Sequence, residues 1–361
     1  MAAALWRAEG VAFIAKMRYC GVMSVSGNSH HTVGLWPVVA ALGGNAVVTA
    51  FKFVAAFTSG SSVMFSEAIH SVADTSNQVL LLIGLKRSRK KADEDFEYGY
   101  GLERFFWALL SACGVFFVGA GVTISHGIES ILKPHPIEIH PTIFVVLFIS
   151  FVVELWTLFI ALRSLARMYP EESWRERFVL ADPTTLAVCL EDSVAVVGVL
   201  IASASIGLSY YTDNILWDAA GSLMIGLMLA GVAITLIIRN RSYLVGHSIP
   251  EDLKDEIIEF MEADPAIEKV IDFKSSVLDI DVYRIKCEVE MTGSALLKEL
   301  YKHNSLKDEY DEVQNDFEEF KKFCVGYSNR IPRLIGKHID KLESRLKKEF
   351  PAVRHIDIEI N

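Results

Sequence analysis

The chain has 361 residues, of which 52% are hydrophobic, and it carries a formal net charge of −10. Residues 248–361 hold 18 basic against 26 acidic side chains, which is a net charge of −8, so the preceding part is nearly neutral. An apolar body with an acidic end excludes nucleic acid as the expected partner, because nucleic acid binds to basic surfaces. The acidic side chains fit either attraction of cations or simple solubility of the last domain.

Residues 1–33 contain few acids and several basic residues among small and apolar ones. Such a composition is typical of a mitochondrial transit peptide. An unstructured start is the alternative interpretation. We therefore expect a leader, cleaved or not, before the first apolar segment.

Six apolar segments follow, and each is long enough to cross a lipid bilayer as a helix. They are approximately 36–57, 62–85, 104–132, 141–165, 184–210 and 217–238. Basic residues cluster after the second, fourth and sixth segments, whereas the opposite loops carry almost no charge. Since positive loops stay on the inner side, the pattern predicts a six-helix transmembrane domain over 34–245 with both termini on one side.

The hydrophobic pattern changes after residue 246 to shorter amphipathic elements. A helix is predicted at 251–261, strands at 270–276, 282–289 and 355–360, and a last helix at 333–350. This order predicts a small soluble α+β domain over 246–361, with helices on one face of a sheet. A polar insert at about 294–330 interrupts it, and its centre, 306–323, is predicted to be a short exposed helix.

The second apolar segment contains Glu67, His70 and Asp74. Ionisable residues within a spanning helix are costly and usually mark a transport path. His70 and Asp74 are four residues apart, so they lie on one helix face and offer half of a tetrahedral zinc site. Glu67 lies one turn before His70 and is a secondary candidate ligand.

The fifth segment contains two adjacent acids, Glu191 and Asp192. Facing His70 and Asp74, they would complete a nitrogen and oxygen site for a divalent ion of intermediate softness, with zinc first. A structural hydrogen-bonded cluster or a pure proton relay is the alternative.

Two weaker signals remain, and the cysteines provide none. Lys52 and Glu154 could form a buried pair between the first and fourth segments, with structural pairing favoured over a role in metal ligation. His355 and Asp357 lie two apart on the last strand and could either bind metal or form a surface pair. No pair among the five cysteines has the spacing of a zinc finger or a redox motif.

The stretch Ser-Glu-Ala-Ile-His-Ser-Val-Ala-Asp, Ser66 to Asp74, resembles the second-helix metal motif of the cation diffusion facilitator family. Six helices followed by a small ferredoxin-like domain are also similar to that family's architecture. Four runs resemble the branch called zinc transporter nine. They start at Asp74 (Asp-Thr-Ser-Asn-Gln), Tyr98 (Tyr-Gly-Tyr-Gly), Leu190 (Leu-Glu-Asp-Ser) and Val353 (Val-Arg-His-Ile-Asp-Ile-Glu).

The resemblance implies a secondary active transporter, not an enzyme. It would move Zn²⁺ against H⁺ by alternating access and act as a homodimer in the bilayer, without a prosthetic group. It also implies a mitochondrial membrane and export from mitochondria, with the endoplasmic reticulum or a vesicle as the alternative location. One position departs from the family: its fifth-helix histidine, four residues before Asp192, is Val188 here. Glu191 would supply the missing ligand. The competing hypothesis is a non-transporting or heterodimeric scaffold or regulatory protein.

Overall fold

The computed structural model describes residues 35–134, 140–301 and 305–361. The predicted leader, residues 1–33, lies outside these ranges. Contacts divide the chain into two compact units. The first contains the residues up to Ile83 and Trp107–Arg239, and the second contains Gly84–Phe106 and Asn240–Asn361.

The six predicted apolar segments all lie in long helices. These are α1 Leu35–Ser59, α2 Ser62–Ser88, α3 Glu103–Leu132, α4 Pro141–Met168, α6 Pro183–Thr212 and α7 Leu216–Val245, with the short α5 Trp174–Leu180 before α6. Helix α3 contains a π-helical turn at Val115–Ala120. Asp182 caps α6, because its Oδ1 accepts hydrogen bonds from the backbone N–H of Thr184 and Thr185 at 2.9 and 3.2 Å.

Within the described residues, four helices are long and apolar enough to cross a membrane by length and composition, namely α3, α4, α6 and α7. Helix α1 is apolar over Asn45–Ser59. Helix α2 is less apolar because it carries Glu67, His70 and Asp74 and ends with basic residues. On α4 the large apolar side chains of Phe148, Trp156 and Phe159 are exposed, which is expected of a helix that faces lipid.

The start of α2 is fixed by an acid of α7. Asp218 is buried, and its Oδ2 accepts a hydrogen bond from the Ser62 backbone N–H at 2.6 Å. Its Oδ1 accepts a second from the Ser61 hydroxyl at 2.5 Å. A carboxylate at a helix N-terminus satisfies the unpaired N–H groups and interacts favourably with the helix dipole. Asp218 therefore anchors the helix that carries His70 and Asp74.

The second unit contains a three-stranded sheet with the order β1-β2-β3. Its elements are α8 Glu251–Glu262, β1 Ile267–Asp279, β2 Val282–Met291, α9 Gly293–Leu300, α10 Leu306–Val313, α11 Phe317–Glu349 and β3 Val353–Ile360. Strand β1 pairs with β2 antiparallel, and β2 pairs with β3 parallel.

Alternate residues of β2 form part of the core of this unit, since Ile285, Cys287 and Val289 are buried. Ile257 of α8 and Leu346 of α11 are buried in the same unit, so this is the expected small α+β fold.

The segment between α2 and α3 belongs to this second unit. Gly101 approaches the carbonyl oxygen of Leu278 so closely that a Cβ there would clash. Arg104 Nε lies 3.4 Å from Asp279 Oδ1. The segment is thus packed against the end of β1.

The helices of the predicted insert differ from the expectation. The helix expected at 306–323 ends at Val313, and the one expected at 333–350 begins earlier, at Phe317. The break is explained by Asp316, whose Oδ1 accepts a hydrogen bond from the Glu318 backbone N–H at 2.8 Å and so starts a new helix. Pro332 lies inside α11, which continues through it at the cost of one backbone hydrogen bond.

Candidate metal-binding site

His70 lies in the middle of α2 and is fully buried. Its Nε2 is 3.3 Å from Asp74 Oδ2, one turn later on the same helix. Neither ring nitrogen has a hydrogen-bond partner among the described residues, so the contact with Asp74 lacks hydrogen-bond geometry. His70 and Asp74 thus lie next to each other on one face of α2, as expected, but without a hydrogen bond between them. A buried imidazole whose two nitrogens are unpaired is costly in the absence of a ligand.

Asp74 provides the more open edge of this pair, with 24% of its side chain exposed. Glu191, Glu154, Lys52 and Asp192 all lie within electrostatic reach of its carboxylate. The acids predicted on the fifth segment thus lie close enough to the Asp74 carboxylate to interact with its charge. Carboxylate and imidazole ligands together suit zinc and its neighbours among the transition metals.

Glu191 is held by a polar relay from two other helices. The Asn77 side-chain amide on α2 donates a hydrogen bond to Glu191 Oε2. The Ser111 hydroxyl on α3 donates to Asn77 Oδ1 at 2.5 Å, which directs the Asn77 N–H₂ group toward the carboxylate. All three side chains are buried. Glu191 is therefore fixed in position by contacts outside its own helix.

Asp192 is partly exposed and lies beside the Thr157 side chain of α4. Val188, one turn before Asp192 on α6, is 38% exposed and offers no ligand atom. The position at which the family resemblance implies a histidine therefore supplies no metal ligand in this chain. Among the described residues, no three His, Cys, Asp or Glu side chains converge closely enough to hold a metal ion. Of the four predicted ligands, the structure pairs His70 with Asp74 and leaves Glu191 on Asn77.

Glu67 forms a separate charged group next to this pair. Lys52 of α1 is completely buried, and its Nζ lies 3.0 Å from Glu67 Oε2 and 2.6 Å from Glu154 Oε1. The predicted pairing of Lys52 with Glu154 is confirmed, and Glu67 is a third member. We call Lys52, Glu67 and Glu154 the lysine triad.

Gly198 of α6 makes room for this triad. A Cβ at Gly198 would lie 2.5 Å from Glu67 Oε1, much closer than two such atoms can approach. The same glycine therefore lets α6, which carries Glu191 and Asp192, pack against the Glu67 carboxylate.

The candidate pair in the second unit, His355 and Asp357, has different surroundings. His355 lies opposite Arg284 in the β2–β3 register, and Asp357 lies opposite Lys286. His355 also packs edge-on against Tyr98, with ring centroids 5.0 Å apart. Burial, and then the charges of Arg284 and other basic neighbours, lower the pKa of His355. Cationic neighbours oppose a second cation, so these surroundings favour the surface-pair interpretation.

Sequence reasoning missed Asn77, Ser111, Thr157, Gly198 and Asp218. Asn77 carried a usable signal, because it lies three residues after Asp74 and so shares its helix face. The contacts of the others depend on which helices are neighbours, and no local pattern contains that information.

Comparison of the chain with known proteins shows its family. The family model described as the cation efflux transmembrane domain matches residues 38–245. The Mus musculus protein named "Proton-coupled zinc antiporter SLC30A9, mitochondrial" is 35% identical over 319 residues, which are 86% of this chain and 56% of the relative. Its Homo sapiens counterpart is 36% identical over 315 residues, again 86% and 56%. "Metal tolerance protein C4" of Arabidopsis thaliana is 33% identical over 331 residues, 89% of this chain and 72% of the relative.

The chain thus spans little more than half the length of the two animal relatives. The family match covers all six long helices, including α2 with its buried ionisable residues. The resemblance seen in the Ser66 to Asp74 motif is confirmed. The chain belongs to the cation efflux family, also called the cation diffusion facilitators, and is a multi-pass membrane protein.

Proposed function

We propose that this chain is a secondary active transporter that moves Zn²⁺ across an organelle membrane in exchange for protons. His70, Asp74, Glu191 and Asp192 are the proposed ligands of the transported ion. Glu67 is a neighbouring group that acts on the site by its charge. No prosthetic group is needed, because the metal is cargo.

One observation carries this proposal: the buried His70 imidazole has both nitrogens unpaired, one turn from a carboxylate, within a helix of the membrane domain. A purely structural histidine would be expected to find hydrogen-bond partners. A transported cation is the natural partner for a ring nitrogen that has none. The names of the two animal relatives, which describe zinc antiporters, support the choice of ion.

Charge balance supports protons as the counter-ion. Asp74, Glu191 and Asp192 bring three mutually interacting carboxylates together within the membrane domain. When a divalent cation leaves, uncompensated carboxylates would remain in a medium of low dielectric constant, which is costly. Protons can neutralise the same oxygens, and metal binding requires them to leave. Exchange of the two on one site is the minimum needed for antiport, and exposure of that site to each side in turn gives alternating access.

The soluble unit, proposed as residues 246–361 with an insert at about 294–330, is a candidate for dimerisation. We propose a homodimer. A mitochondrial membrane is proposed as the location and export from the organelle as the direction, because the names of both animal relatives include the word mitochondrial.

The test is pH-gradient-driven metal flux by the full chain in proteoliposomes, with zinc, manganese, iron and cobalt compared. We expect zinc uptake that collapses when the gradient is removed. Asp74→Asn and Asp192→Asn should abolish uptake. Asp213→Asn, on the loop between α6 and α7, is a matched control that removes a carboxylate away from the site and should leave flux unchanged.

The alternative function is a non-transporting scaffold, and the feature that favours it is Val188 at the family's histidine position. It predicts no metal-driven flux, no zinc binding by the purified chain, and a partner protein that is lost when residues 306–323 are deleted. Zinc flux sensitive to Asp74→Asn would rule it out.

A further inference from the structure

Lys52 adds the positive charge of the lysine triad to a region that is otherwise acidic. Lys52 is the single cationic side chain of this buried cluster in the described part of the chain. Its Nζ is fixed between Glu67 and Glu154 and has no exposure to solvent. The ammonium group therefore occupies the position that a small cation bridging these two carboxylates would take.

Both carboxylates of the triad retain coordinating capacity. Glu67 Oε1 and Glu154 Oε2 are buried and have no hydrogen-bond partner among the described residues. A structural ion pair in a membrane interior is expected to satisfy all its oxygens. Each carboxylate thus accepts a hydrogen bond from Lys52 on one oxygen, and its other oxygen has no hydrogen-bond partner among the described residues.

The triad lies directly beside the proposed transport site. Glu67 is one turn before His70 on α2, and His70 and Asp74 are both within electrostatic reach of Lys52. Gly198 keeps the space that the Glu67 carboxylate needs next to α6. The positive charge of the ammonium group would therefore reduce the attraction that the neighbouring Glu67 and Glu154 carboxylates exert on a divalent ion bound to His70 and Asp74.

We propose that Lys52 is a positioning residue that acts as an internal counter-cation: it offsets part of the negative charge of Glu67 and Glu154 while the transport site is empty and weakens the hold on a bound divalent ion so that the ion can leave. This inference rests on the proposed function. Lys52 does not touch the ion. It acts by offsetting part of the charge of Glu67 and Glu154, which without it would be two unpaired carboxylates beside the ion.

The sign of the effect distinguishes this role from a structural one. Replacing Lys52 by a neutral residue should make zinc bind more tightly and leave more slowly, so that KM and turnover both fall. A purely structural role predicts a different result: a smaller amount of active protein with unchanged KM. Lys52→Arg retains the charge and should retain both constants.

The experiment is zinc titration of the purified full chain by calorimetry, together with zinc flux in proteoliposomes. Lys52→Gln should tighten zinc binding by at least about tenfold and lower maximal flux. Lys133→Gln, which removes an exposed positive charge near the end of α3, is the matched control and should change neither. Unchanged or weaker zinc binding by Lys52→Gln would overturn the inference.

A second pair of variants keeps the test valid if Lys52→Gln fails to fold, since a buried carboxylate pair without its cation is destabilising. Glu67→Gln leaves Lys52 with a weaker partner and should bind zinc more weakly than the wild type. Adding Lys52→Gln to Glu67→Gln removes both charges and should tighten zinc binding again. Equal affinity in the single and double variants would overturn the inference.

The two proposals fail in different ways. A wild-type chain that neither binds zinc nor drives its flux contradicts the proposed function and the inference together. A wild-type chain that transports zinc, with unaltered affinity in the Lys52 variants, contradicts the inference alone.

Discussion

The Asn77 side-chain amide donates a hydrogen bond to Glu191 Oε2 and so links α2, which carries His70 and Asp74, to α6. Asn77 is itself oriented by Ser111 of α3. Three helices of the membrane unit therefore meet at one proposed ligand. This relay decides where the Glu191 carboxylate lies relative to His70.

We expect Asn77→Leu, which keeps the volume but removes the donor, to raise the KM for zinc by about tenfold to 100-fold, the usual cost of losing a group that orients a metal ligand. The measurement is zinc flux in proteoliposomes over a range of zinc concentrations. Gln78→Leu is a suitable control, because Gln78 makes a similar interhelical amide contact, to Asn45 at 3.0 Å, away from Glu191. Equal effects of the two substitutions would contradict an orienting role for Asn77.

Gly198→Ala should lower zinc transport, because the added methyl group would lie 2.5 Å from Glu67 Oε1. Overpacking of this kind typically costs about 1–3 kcal/mol and here would displace the lysine triad. Gly207→Ala on the same helix is the control, since a Cβ there has no atom within 4 Å. Flux and thermal unfolding should both be unchanged in Gly207→Ala. Normal flux in Gly198→Ala would show that the position of Glu67 does not matter.

Val188→His should increase the preference for zinc over manganese. The side chain at this position is 38% exposed and lies one turn before Asp192, so an imidazole has room beside that carboxylate. Imidazole favours zinc, whereas manganese prefers oxygen ligands. Competition between the two metals for flux measures the effect, and Val197→His, on a similarly exposed part of α6, is the control. An unchanged metal preference would mean that residue 188 does not face the ion.

Cys287 should resist alkylation while Cys324 reacts. Burial, and then the nearby acids Asp357 and Glu343, raise the pKa of the Cys287 thiol to about 12, whereas Cys324 is exposed. Because the thiolate is the reactive form, we expect at least about 100-fold slower labelling of Cys287 at neutral pH. Mass spectrometry of the folded full chain after maleimide treatment gives both rates. Similar rates would contradict the packing of β2.

Asp264 should stabilise the second unit in a pH-dependent manner. Burial alone would raise its pKa, but a backbone hydrogen bond from Ala266 and the neighbours His338 and Arg345 outweigh burial and hold it below the ordinary value of 3.8. A lowered folded pKa contributes stability that is fully present above the unfolded pKa and is lost as the pH falls through the folded value. Asp264→Asn should therefore cost about 2 kcal/mol at neutral pH and much less in acid.

Hydrogen exchange of the β1 and β2 amides in the full chain measures this difference. Asp272→Asn removes a more exposed acid paired with Lys274 and should change exchange little. A loss of protection in Asp264→Asn that does not depend on pH would contradict the assignment.

Local sequence signals predicted the membrane helices and the placement of His70 next to Asp74 in the candidate site. Apolar length locates a spanning helix regardless of its neighbours, and a spacing of four residues places His70 and Asp74 together wherever α2 packs. The pairing of Lys52 with Glu154 was predictable for another reason: each is an isolated charge in an apolar helix and needs an opposite partner.

Contacts that depend on helix packing were not predictable. The Asn77–Glu191 hydrogen bond and the contact of Asp218 with the start of α2 join residues more than 100 positions apart. The sequence around each residue does not indicate which distant residue it contacts. The break between α10 and α11 was not predicted, because Asp316 lies among other polar residues and is compatible with the interior of an exposed helix. In the structure its side chain instead caps the start of α11.

Zinc X-ray absorption spectroscopy of the zinc-loaded full chain tests the central claim most directly. A site of His70, Asp74, Glu191 and Asp192 predicts a shell of nitrogen and oxygen with one imidazole and no sulfur, and the imidazole signal should disappear in His70→Ala. A zinc-bound His70→Ala chain with the same imidazole signal, or a wild-type shell that contains sulfur, would contradict it.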